Sequence, residues 1–100
     1  MTKRTELDQI EINLTSGVIA LRFAMYDEDG DRKWHRTSIE PGIDVEAQIA
    51  AVNVHLDLMK KKPVGAETIA KIKSVAAREH TPEVIARFNA LRAEAANAVV

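Results

Sequence analysis

Cysteine is absent, so the chain can form no disulfide and no thiolate metal site. Aromatic residues are scarce: 1 tryptophan, 1 tyrosine and 2 phenylalanines in 100 residues. The core must therefore rest on aliphatic side chains and on the close packing that abundant alanine allows. Charge of one sign is lacking too. The 14 Lys and Arg stand against 15 Asp and Glu, and a formal net charge of −1 gives no reason to expect nucleic acid or an acidic membrane surface. No apolar run approaches the length of a membrane span. The N-terminal MTKRTELDQIE has no apolar stretch after its basic pair, so it does not read as a signal peptide, and the expected compartment is the cytosol. The phosphate-binding motifs GxGxxG and GxxxxGK[ST] are missing, as is the nucleophile elbow GxSxG. What remains is one small α+β domain over residues 1–100, with a thin core.

The stretch from Val18 to Ile39, VIALRFAMYDEDGDRKWHRTSI, organises the rest. Asp29-Gly30 between two strand-like runs signals a hairpin, because a tight turn there needs positive φ and glycine accepts it without steric cost. With these two residues as the loop, Met25 faces Trp34, Phe23 faces Arg36 and Leu21 faces Ser38. Leu21, Phe23, Met25 and Trp34 then share the apolar face, while Arg22, Tyr26, Lys33, His35 and Thr37 take the wet one. A longer loop, starting at Asp27 or at Glu28, is the alternative. Starting it at Glu28 slips the register by one residue and turns Trp34 to the other face.

Upstream, Met1 to Glu6 is polar and reads as frayed. Ile10, Ile12 and Leu14 alternate with polar residues, which predicts a strand over about 8–14. A Ser16-Gly17 loop would set Ile12 against Leu21 and Ile10 against Phe23. The strands at about 8–14, 18–27 and 32–39 thus make a three-stranded antiparallel meander. One face must be covered, because so small a sheet is unstable alone.

Downstream, Glu40-Pro41-Gly42 ends the sheet and Asp44 offers a helix cap. Val45, Ile49, Val52, Leu56 and Met59 form one stripe of a helix over about 45–61. Pro63 and Gly65 separate it from a second helix over 66–79, with Ile69, Ile72, Ala76 and Val75 inward. Thr81-Pro82-Glu83 restarts the chain as a third helix over about 82–97, striped by Val84, Phe88, Leu91 and Ala95. The small apolar residues from Ala96 to Val100 either fray or dock on a neighbouring subunit. All three helices are expected on one face of the sheet.

Candidate chemistry is thin. His35, His55 and His80 are far apart, and none has a ligand partner at zinc-site spacing. The acidic tip from Asp27 to Asp31 lacks the twelve-residue loop and closing glutamate of a calcium-binding hand, and reads as a solvated turn. Ser16 and Ser38 have no base at motif spacing. No residue set points to a cofactor or metal, and the expectation is a protein that is not an enzyme. Trp34 reads in two ways: as a cap on the core, or as a partner contact, since large aromatics are enriched where proteins bind each other. The candidate partner-contact residues are Trp34, Arg36, Tyr26 and His35. Lys60, Lys61 and Lys62 with Lys71, Lys73 and Arg78 make an alternative reading, a basic patch on the first two helices of a nucleic-acid-binding regulator.

HRTSIEPGID, from His35 to Asp44, and TPEVIARF, from Thr81 to Phe88, resemble segments of small uncharacterised proteins encoded among the tail and structural genes of tailed bacteriophages and prophages. Members carry a strand pair ending in His-Arg, then a Pro-Gly-x-Asp turn into a helix. Here His35, Arg36, Pro41, Gly42 and Asp44 match that segment, and Thr81 to Ile85 match the other. His80 stands where members often have tryptophan, and the stretch from Lys60 to Glu79 is longer. The resemblance implies an accessory or structural protein that acts by protein–protein contact in tail or virion assembly. Its partners would be other phage structural proteins or further copies of itself, in the cytoplasm of a bacterial host or in the virion. It carries over no catalytic residue.

Overall fold

Ile19, Leu21, Phe23 and Met25 recur at every second position, and a strand sends such residues to one face. All four are buried in the computed structural model, which describes residues 2–98. Their strand, β2 (Ile19–Tyr26), lies between β1 (Arg4–Ile12) and β3 (Arg32–Ile39) in an antiparallel sheet of order β1-β2-β3. Three helices follow, α1 (Val45–Leu58), α2 (Ala66–Glu79) and α3 (Pro82–Ala98). This is the α+β meander and helix order that the hydrophobic periodicity implies. No helix among the described residues is long and apolar enough to cross a membrane.

The β2–β3 register differs from the two-residue loop reading. Asp27 N donates to Asp31 O at 2.9 Å and Gly30 N to Asp27 O at 3.0 Å, so the loop is Glu28-Asp29-Gly30. Gly30 sits at φ 84°, the left-handed residue that ends a three-residue hairpin loop. The slip is one residue: Met25 faces Lys33, Phe23 faces His35 and Leu21 faces Thr37. Every β3 side chain therefore changes face. Trp34 leaves the core side, and Lys33, His35 and Thr37 turn toward the helices.

The β1–β2 turn is also longer than Ser16-Gly17. Asn13 closes it, its N–H donating to Val18 O and its side-chain oxygen accepting from Thr15 N and Ser16 N. That turn is why β1 stops at Ile12 and not near residue 14. Ile12 now faces Ile19 and Ile10 faces Leu21, two residues from the expected pairing, so the faces are kept. Farther along, Leu7 faces Phe23 while Gln9 faces Arg22, which leaves Asp8 as an extra, bulged residue. The bulge puts Leu7 and Ile10, three apart, on the same side. It also carries the strand back to Arg4, through residues expected to fray. There Lys3 and Thr5 donate to the carbonyls of Lys60 and Lys62.

The helix-start signals act as read. The Asp44 carboxylate accepts from Glu46 N at 3.0 Å, and Ile49, Val52 and Leu56 are buried. Helix α1 ends at Leu58, short of residue 61, because Lys60 takes a left-handed φ of 59° and Lys61 N reaches back to Leu56 O at 2.8 Å. Asn53 then accepts from Val64 N at 2.8 Å, folding the connection onto α1. Ile72 and Ala76 bring α2 into the same core, with Ile69 and Val75 partly buried. The core lies between these helices and one sheet face. Helix α3 starts at the Thr81 hydroxyl, which accepts from Val84 N at 3.3 Å, and buries Phe88. It packs over the turns at one end of the sheet, with Val84 against Gly17 and Ile85 near Gly42. Ala95 of the expected stripe is exposed. Met1, Val99 and Val100, part of the expected frayed start and docking tail, lie outside the described residues.

Candidate functional site

The sheet face opposite the helices is uncovered. Alternation places Tyr26 and Arg22 of β2 there, and the slipped register adds Arg32, Trp34 and Arg36 of β3. Trp34 stands between two guanidinium groups, with Arg22 4.6 Å and Arg32 4.5 Å from its ring centre. Arg4 of β1 lies 4.0 Å from the ring centre of Tyr26. Stacking of this kind holds flat cations and rings in defined orientations at the surface. Asp8 anchors Arg22 from the side at 2.8 Å and 2.5 Å, and Glu6 anchors Arg4 at 2.8 Å. Trp34 keeps 43% of its surface exposed, yet it helps cover Ala24 beside it, which is 2% exposed. Arg36 borders a shallow hollow over Ala20 that Gln9, Glu11 and Arg22 complete.

Of the four expected contact residues, three converge on this face: Trp34, Tyr26 and Arg36. The fourth, His35, does not. The register slip carries it to the helix side, where its ring lies 5.0 Å from that of His55. Burial, and then the charge of His55, push the His35 imidazole below its ordinary value of 6.5. The fold thus favours the neutral ring over the charged one. Stability is fully present above pH 6.5 and is lost as pH falls through the lower folded-state value. Urea midpoints measured down through this range should fall for the natural protein and stay flatter for His35→Gln.

Trp34 could have been placed from sequence by one signal. Trp34 and Ile39 stand five residues apart, so a regular strand cannot bury both, and Ile39 is fully buried. Arg4 and Arg32, the outer partners of the two rings, had no sequence signature at all.

The other candidates are engaged elsewhere. Lys61 donates to both carboxylate oxygens of Asp27 at 2.7 and 2.8 Å, tying the hairpin tip to the end of α1. That ammonium holds the Asp27 carboxyl below the usual carboxylate range. Lys73 pairs with Glu46 at 2.6 Å and Arg78 with Glu79 at 3.1 Å, so half of the expected basic patch is neutralised by carboxylates. His80 Nε2 lies 2.8 Å from Gly17 O, fixing the start of α3 to the first turn. Among the described residues no three His, Asp or Glu gather as metal ligands. The open face presents aromatic rings, guanidinium groups and carboxylates, the chemistry of stacking and ion pairing.

Comparison with protein-family models, with curated proteins and with solved structures finds no match to this chain.

Proposed function

We propose that the chain is a non-enzymatic accessory or structural protein that works through protein–protein contact. The uncovered sheet face is its contact surface. One observation carries this reading: the protein's sole tryptophan stands half-exposed on that face between two arginines. Tryptophan, tyrosine and arginine are the residues in which contact energy concentrates, because each offers a large apolar surface with a polar edge. The biological setting is supported only by the resemblance of His35–Asp44 and Thr81–Phe88 to phage segments. It would be tail or virion assembly, in the host cytoplasm or in the particle. The basic patch on α1 and α2 supports a nucleic-acid role less well, since Lys61, Lys73 and Arg78 already face carboxylates.

The test uses tail and virion structural proteins of tailed phages as candidate partners. Binding should shift Trp34 emission to the blue and shield it from a soluble quencher. Trp34→Ala should keep its circular dichroism, because the ring lies outside the core. It should weaken capture by about 2 kcal/mol or more, a hot-spot effect. Capture that neither Trp34→Ala nor Tyr26→Ala changes would remove the face from the reading.

A further inference from the structure

The sheet has two open edges. Among the described residues, the backbone hydrogen bonds of Arg4–Ile12 and Arg32–Ile39 run only to β2. Such an edge is a row of free donors and acceptors ready for another strand. The edges are opposite in charge. Strand β3 carries Arg32, Lys33 and Arg36 with no carboxylate, whereas β1 carries Glu6, Asp8 and Glu11 against Arg4. Two β3 edges brought together would repel, and so would two β1 edges. Only β3 beside β1 sets unlike charges opposite each other.

The spacing matches as well. Arg32 and Arg36 stand four residues apart on the open face. Glu6 and Glu11 stand five apart, and on a regular strand they would point to opposite faces. The bulge at Asp8 absorbs one residue, so both reach the open face at an effective spacing of four. Strands β1 and β3 both run antiparallel to β2, so they run the same way. A β1 laid beside β3 with the open faces continuous is therefore parallel to it. Arg32 can then meet Glu6 and Arg36 can meet Glu11 in one register.

We infer that the β3 edge receives β1 of a second copy of this chain. The inference rests on the protein-contact reading and names one partner for it. The contact is heterologous, because two different edges meet. Each added copy leaves a free β3 edge and a free β1 edge, so repetition gives a ring if the rotation closes and a filament if it does not.

Light scattering coupled to size exclusion, from micromolar to millimolar protein, tests it. The mass should rise with concentration and fall with added salt, since exposed charge pairs are screened. Glu11→Arg and Arg36→Glu should each raise the half-assembly concentration by about tenfold or more, because one attractive pair becomes repulsive at every junction. An equimolar mixture of the two variants should recover assembly, since alternating copies restore unlike charges at both kinds of junction. Glu6→Arg with Arg32→Glu repeats the test at the other end of the contact. Circular dichroism checks that each variant folds. A natural protein that stays monomeric throughout, or a mixture no better than its components, overturns the inference. Monomer with Trp34-dependent capture of a structural protein intact would leave the contact reading standing. Assembly without any such capture would sustain the inference and remove the open face from that reading.

Discussion

Alanine in place of Phe23 should lower stability by about 3–5 kcal/mol, the cost of a buried phenylalanine plus the cavity it leaves. Phe23 is fully buried in the central strand, within the cluster that joins sheet, α1 and α2. On one side Phe23 is flanked by Leu7 and on the other by His35, whose polar ring is held against His55. A domain of this size has on the order of 5–15 kcal/mol in all, so the variant should lose a large part of it. A urea titration with circular dichroism reads the loss. A change below about 1 kcal/mol would mean that the core repacks far more freely than interiors of this density do.

Gly17→Ala should cost about 2–4 kcal/mol, although it adds only one methyl group, because Gly17 is buried in its turn. Two effects combine. Gly17 sits at φ 80°, where a side chain crowds its own backbone. The added carbon would also meet Val84 and press on Pro41, at 3.2 Å, so the strain reaches α3. The two effects separate experimentally. In a Val84→Ala background the added cost should fall toward the backbone share, about 1–2 kcal/mol, with the Pro41 contact remaining. Gly65→Ala is the control, because Gly65 has φ −75° and open space around it, and its midpoint should move little.

The legible parts of this fold are those that local chemistry determines without help from a partner strand. Asp44 and Thr81 cap helices because a short oxygen-bearing side chain satisfies free N–H groups from either sequence context. Ile49, Val52 and Leu56, like Ile72 and Ala76, share helical faces by spacing alone. The sheet's existence and order were legible for the same reason. Its registers were not. An Asp-Gly pair serves a two-residue loop and a three-residue loop equally well, and the choice decides whether Trp34 or His35 faces the helices. Strand β3 gave little to arbitrate with, since only Trp34 and Ile39 are large and apolar. The β1 bulge was hidden because Leu7 and Ile10 break the period of two, so the true start of the strand looked like disordered chain. The candidate site inherits this split: Tyr26 was on its correct face from β2 alone, while Trp34, Arg36 and His35 waited on the loop.

The extra residue in β1 also has a consequence for how such a sequence can change over generations. Losing one residue inside a strand ordinarily exchanges its two faces for the whole of one side, which is ruinous when one face is core. In β1 the loss of Asp8 would do the opposite. Thr5, Leu7, Ile10 and Ile12 would fall into plain alternation, all still directed inward, and only the Asp8–Arg22 pair would go. The strand thus has two reading frames that both bury the same side chains, and length variation is tolerable at the bulge between Leu7 and Ile10.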